Sequence, residues 1–285
     1  MKMLNAFRQR GLSMVELMVA LAISSFLILG ITQIYIDNKR SYVFQQSQAN
    51  NQENTRFAEL MLNAWLNKAG YRRAPDQAIE DAFRKADGTT DCEAFDKGAV
   101  IAGFKPASGT KEVGFCMRYQ PGSATELDCQ GSQVKVVAGK QLGTPFVKPD
   151  NAELVVMAIK FVPDAELNKG SLQCKNLSAT KPAFAELVDG IADMQFEFAT
   201  GENDLFEKKL KADPWAASAA GMVRAVRYSM LLASRTNQRD SDSKVYDDWV
   251  DTVTDATNKA RIEAGDKKRI YQWAGSTQIL RNMMP

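Results

Sequence analysis

The chain has 285 residues, 45% hydrophobic and 25% charged, which excludes a disordered polypeptide and leaves enough sequence for a sizeable core. Its formal net charge is +2 and it contains no histidine, so it offers no electrostatic case for nucleic-acid binding and lacks the commonest general base. No G-x-S-x-G elbow or phosphate-cradling glycine loop occurs and scattered carboxylates cannot be paired from sequence alone, so neither an enzyme nor a cofactor is expected.

The first element is the apolar run Leu12 to Ile36, which as an α-helix spans roughly 37 Å, enough for a bilayer core of about 30 Å. Lys2, Arg8 and Arg10 precede it without an acid among them, so residues 1–11 stay cytoplasmic and the chain beyond about residue 37 lies outside. A secretory signal would be cut after its apolar region; here the plausible cut precedes it, and the helix survives. Loss of residues 1–11 removes three positive charges and takes the net charge from +2 to −1. One acid, Glu16, sits near the start of the run. Ser13-Met14-Val15-Glu16 fits a capping box, which gives Glu16 a purely structural reading.

The residues "GLSMVEL" also resemble the processing motif of type IV pilins and type II secretion pseudopilins. In that resemblance the leader ends at Gly11, Leu12 becomes the methylated N-terminus, and Glu16 is the acid at the fifth mature position. Leu12 departs from the usual phenylalanine, and the run has no proline, so local melting of the helix is not carried over.

Past the membrane run, 37–69 reads as a continuation of the same helix, free of glycine and proline, with Gly70 as its stop. Phe57, Met61, Ala64, Trp65 and Lys68, flanked by Leu60, fall on one side at helical spacing and predict a core-facing stripe. Short β-branched or aromatic runs at 99–105, 112–120, 132–138, 153–162, 193–199, 223–233 and 269–280 predict strands, punctuated by turns such as "KPASGT", "QPGSA" and "KPDN". The stretch "TGENDLF" (200–206) reads as a turn. One long helix followed by runs of strands predicts an α+β fold with an antiparallel sheet.

Cys92, Cys116, Cys129 and Cys174 all fall on the extracytoplasmic side, where disulfides persist; spacing leaves three pairings open. With no C-x-x-C pair and no histidine, no metal site is expected. Asp240, Asp242, Asp247, Asp248, Asp251 and Asp255 crowd the polar segment 236–259. It lacks the glycine and terminal glutamate of an EF-hand loop, and reads as a solvated loop or short surface helix.

Further blocks extend the resemblance along the chain: "NKAGYRRAP" (67–75), "RYQPGSATELDCQG" (118–131), "LQC" (172–174), "AELVDGIADMQFEFA" (185–199), "VRAVRYSMLLASR" (223–235) and "TQILRN" (277–282). Together they resemble minor pilins of the PilW kind. The resemblance implies the type IV pilin fold, with a cleaved leader (1–11), a membrane and assembly helix (12–36), its amphipathic continuation (37–69) and a β-rich head (70–285). It also implies the pairs Cys92–Cys116 and Cys129–Cys174, through "DCQG" and "LQC". The implied function is to help initiate a type IV pilus and remain near its tip. The chain would be a single-pass inner-membrane protein with a periplasmic head before assembly, and at the extracellular pilus tip afterwards. The implied partners are other minor pilins, the major pilin, a prepilin peptidase, an inner-membrane assembly platform and a tip adhesin. A minor pseudopilin of type II secretion shares the anchor and fold, and an unprocessed membrane-anchored periplasmic binding module is the alternative from another class. Among twitching motility, DNA uptake and adhesion the residues do not choose.

Overall fold

The computed structural model describes residues 13–123, 125–134, 154–200, 208–211 and 222–284, of which 208–211 are described by their backbone. The chain divides into two units, Met1–Gln46 and Ser47–Pro285. Helix α1, Met14–Lys68, begins in the first and ends in the second.

In the first unit the described chain is helix throughout after Ser13, and its large apolar side chains from Met14 to Ile36 are exposed. Hydroxyls within this apolar stretch return to the helix's own carbonyls: Ser25 Oγ donates to Leu21 O at 2.7 Å and Thr32 Oγ1 to Ile28 O at 2.7 Å. That arrangement keeps the hydroxyl hydrogens of Ser25 and Thr32 bonded within the helix.

The second unit is built on two antiparallel sheets. The first is a five-stranded meander of β1 (Ile101–Gly103), β2 (Val113–Tyr119), β3 (Val155–Val162), β4 (Ser171–Asn176) and β5 (Ala185–Val188), neighbours in that order. The second contains β6 (Ile191–Thr200), β7 (Lys208–Lys211), β8 (Val223–Asn237) and β9 (Arg269–Ile279), in the order β7-β6-β8-β9. A short helix α2 (Ile79–Ala82) follows α1. Helices α3 (Lys244–Thr252) and α4 (Ala256–Gly265) connect β8 to β9. The fold is α+β, with the C-terminal part of α1 packed on antiparallel sheet.

One core joins α1, through Ala58, Leu62, Trp65 and Leu66, to both sheets. Phe115 of β2 meets Phe196 and Phe198 of β6 edge-on, at 5.2 and 6.1 Å between ring centres. The expected stripe on α1 is displaced: Phe57 is 46% and Leu60 68% exposed, Ala64 is exposed, Met61 and Lys68 are half-buried, and only Trp65 of the set is buried. The buried face runs instead through Ser47, Asn51, Thr55, Ala58, Leu62, Trp65 and Leu66. Its rotation is set by short polar side chains. Ser47 Oγ bonds the Thr236 hydroxyl at 3.3 Å, Asn51 donates to Ile270 O at 3.3 Å, and Asn54 donates to Asp189 O at 3.0 Å. A rule that counts apolar residues does not see them. The helix stops as expected, with Gly70 at φ +72°, where a side chain would collide with Met283 Sδ.

The strands expected at 99–105, 112–120, 153–162, 193–199, 223–233 and 269–280 coincide with β1, β2, β3, β6, β8 and β9. Most of 132–138, the "KPDN" turn and residues 201–206 lie outside the described residues. Strands β4, β5 and β7 were not anticipated from periodicity. The aspartate-rich segment contains a short surface helix, one of the two readings expected of it, with Asp247, Asp248 and Asp251 exposed; what the sequence reading missed is that Trp249 within it is fully buried. Tyr246, Trp249, Val250 and Val253 pack on Leu231, Ala233 and Tyr271 of the second sheet. Ser243 caps α3 by accepting from Tyr246 N, and Asp255 caps α4 by accepting from Asn258 N. These two capping oxygens have a structural task, and no group of metal-ligating side chains occurs among the described residues.

Candidate functional site

Gly11 and Leu12, the expected cleavage pair, lie outside the described residues. The described chain starts at Ser13, whose carbonyl accepts from Leu17 N at 3.1 Å and so opens the first helical turn. Glu16 stands in that turn and is exposed, between Val15 at 68% and Leu17 at 55% exposure. Among the described residues neither the Ser13 hydroxyl nor the Glu16 carboxylate has a side-chain partner, so the two halves of a capping box are not closed. The next charged residue along the helix is Asp37, which accepts from Gln33 Nε2 at 3.1 Å. Between them α1 supplies a window of mean hydropathy 2.3, long and apolar enough to cross a membrane. A lone acid in the first turn of such a helix is chemically suited to capture of a cation at the same depth.

The head carries two disulfides. Cys92–Cys116 ties the loop before β1 to β2 with the α-carbons 5.9 Å apart, and Cys129–Cys174 ties the 120–134 loop to β4 at 6.3 Å. Closing 24- and 45-residue separations contributes about 3.5 and 4 kcal/mol by chain entropy. Cys92 and Cys116 are walled by Phe95, Ala102, Phe104 and Ala158 on the outer face of the first sheet.

Three groups of polar residues hold the head together and were not singled out from sequence. Arg118 is 1% exposed and donates to the carbonyls of Ala99, Arg84, Phe83 and Asp96 at 2.7 to 3.1 Å, with Phe95 under its guanidinium at 4.6 Å. Burial lowers its pKa to about 10. Asp193, buried on β6, accepts from Trp249 Nε1 at 2.9 Å, Asn258 Nδ2 at 3.0 Å and Arg261 at 3.2 Å, and so fastens α3 and α4. Burial pushes its carboxyl upward, opposed by Asn258, Arg261 and Trp249. The third group, Lys160–Glu112 at 2.6 Å and Lys175–Asp91 at 2.8 Å, brackets the Phe184 ring. The charged groups of all three have partners within the head.

The chain matches the prokaryotic N-terminal methylation motif over residues 6–32, which span Gly11, Leu12 and Glu16. It matches the family described as Type IV Pilus-assembly protein W over residues 161–282. The two matches place a region similar to a pilus-assembly family behind an N-terminal methylation motif. The PilW match runs from the end of β3 through β9 and so takes in the whole second sheet with α3 and α4. A solved structure of a type IV-like pilin from Thermus thermophilus is similar over 82% of this chain and 98% of its own, with 11% identity and a TM-score of 0.40. No curated protein matches the sequence. The chain therefore combines an N-terminal methylation motif, a helix long and apolar enough to cross a membrane, and a region similar to a pilus-assembly family.

Proposed function

We propose that this chain is a minor pilin that helps to initiate assembly of a type IV pilus and sits at or near its tip. In this reading a prepilin peptidase cuts after Gly11 and methylates the Leu12 amine. The 12–36 segment then anchors the protein in the inner membrane with its head periplasmic, until an assembly platform passes it into a filament with other minor pilins and the major pilin. A tip adhesin is the further partner.

The observation that supports this reading is Glu16, an exposed carboxylate without a side-chain partner among the described residues, in the first turn of α1 at the head of its apolar stretch. An unpaired acid in hydrocarbon costs about 2.5–3.5 kcal/mol at the centre and less near the interface. Cleavage after Gly11 creates an amine four residues away, and methylation preserves its charge. Each subunit then carries one cation and one anion at nearly the same depth, and neighbours can exchange them, which relieves the penalty and sets axial register. Glu16→Ala is expected to be inserted and cleaved normally yet to fail to join other minor pilins. Surface pilus number and co-purification with other pilus subunits, in a strain carrying only the variant, check this. Wild-type values in both would refute the role of Glu16.

A further inference from the structure

The two sheets present four edges, and three are blunted. The β1 edge is three residues long and is covered by the 91–93 segment, since Glu93 N donates to Gly103 O and Lys105 N to Asp91 O. The β5 edge is four residues and carries Glu186. The β7 edge has the sequence Lys-Lys-Leu-Lys. Short length and lysines are how proteins keep sheet edges from pairing with strangers.

The fourth edge, β9, has none of these defences. It is 11 residues long, and from Ile270 to Leu280 it contains no charge and no proline. Leu280 N donates to Arg224 O at 2.8 Å, and the register runs unbroken from Ala225↔Ile279 to Ala233↔Tyr271. Alternation along an antiparallel pair then turns the N–H and C=O groups of Trp273, Gly275, Thr277 and Ile279 away from β8. No partner strand lies on that side among the described residues. The side chains of Trp273, Thr277 and Ile279 are exposed, Trp273 at 42% and Ile279 at 44%, and so is the main chain of Gly275 between them. Position 275 is glycine because a Cβ there would press on Tyr228 O at 2.7 Å, so β8 approaches closely at this point.

We propose that Trp273–Ile279 is an assembly edge that accepts, as an added β-strand, an extended uncharged segment of a different subunit of the same filament. The proposal rests on the pilin reading. A row of outward main-chain donors and acceptors is complemented by another strand. The lack of charge over Ile270–Leu280 matches an uncharged strand and would strand a Lys or Glu brought against it. Trp273 and Ile279 offer apolar contact to side chains on one face of the incoming strand.

The test uses the full chain in its own strain as the only copy, with a photo-crosslinking amino acid at Ile279. Crosslinked peptides are mapped by mass spectrometry. Thr277→Pro removes one outward N–H, and Thr277→Lys keeps it but adds a charge; neither touches a main-chain hydrogen bond to β8, and both remove the bond that Thr277 Oγ1 accepts from Arg227 Nε at 3.2 Å. The expected result is a crosslink to another pilus subunit within a run free of Lys, Arg, Asp and Glu, reduced at least about tenfold in both variants, the equivalent of about 1.4 kcal/mol. Unchanged thermal melting of the Thr277→Lys chain in detergent separates lost docking from lost folding. Crosslinks solely to a second copy of this chain, or crosslinks undiminished in both variants, would overturn the proposal. The same samples report their own N-terminus: a mature end at Leu12 without the intersubunit crosslink removes the edge proposal alone, whereas an uncut leader removes the pilin reading beneath it.

Discussion

At the scale of single residues, Arg118 and Glu16 are both isolated charges, and they are handled in opposite ways. The guanidinium of Arg118 has no carboxylate near it and is satisfied by four backbone carbonyls, which fixes the path of the chain from Phe83 to Ala99. Arg118→Ala leaves those carbonyls without a donor and is expected to lower stability by about 3 kcal/mol, read by denaturant unfolding of the detergent-solubilised chain. Arg118→Lys, with fewer donors in a different geometry, should recover only part. Such a residue is invisible in the sequence because its partners are main-chain groups brought together by folding. Glu16 was legible because its surroundings are local: a basic leader, a glycine and an apolar run can be read in one line. The disulfides fall between. Four cysteines in an oxidising compartment imply bridges, but residue spacing permits three pairings, and only the fold brings Cys92 to Cys116 and Cys129 to Cys174.

At the scale of elements, hydrophobic pattern placed the long helix and the longer strands, and misjudged which side of the helix is buried. The apolar residues Phe57, Leu60 and Met61 suggest one face, whereas Ser47, Asn51 and Asn54 fix another through hydrogen bonds to the second sheet and the β5–β6 turn. The rotation makes a sharp prediction. Leu62→Ala, on the buried face, should cost about 2–5 kcal/mol, while Phe57→Ala should change stability by less than about 0.5 kcal/mol. Equal effects in the same unfolding assay would contradict the register of α1. The α3 helix shows a different error. Tyr246, Trp249, Val250 and Val253 follow the i, i+3, i+4, i+7 spacing of an amphipathic helix, so the signal was present. The interleaved aspartates hid it. Strands β4, β5 and β7 are short or carry polar residues at inward positions, and pairing with neighbours, which periodicity cannot register, is what makes them strands.

At the scale of the whole molecule, the head is held by two disulfides, one large core and several buried phenols, and the phenols set its alkaline limit. Burial raises the pKa of Tyr228 and Tyr246 to about 12 and pushes Tyr119 and Tyr271 upward as well. Each group holds its proton more tightly when folded than when unfolded, where the value is about 10. Its contribution is therefore complete below pH ~10 and is lost as pH rises toward ~12. Unfolding midpoints measured across that range should fall steeply, together with the appearance of tyrosinate absorbance; flat midpoints would contradict the burial of these rings.

The same scale holds the central claim, that this chain works by becoming part of a filament. Its elements divide accordingly, with an apolar helical stretch from Met14 to Ile36 that carries one acid and a head stapled by two disulfides. Filaments sheared from cells, purified and analysed by mass spectrometry provide the most direct measurement. The account predicts that the chain is present in them at low copy and begins at N-methylated Leu12. Absence from the filaments, with the protein retained in the membrane and residues 1–11 still attached, would contradict it.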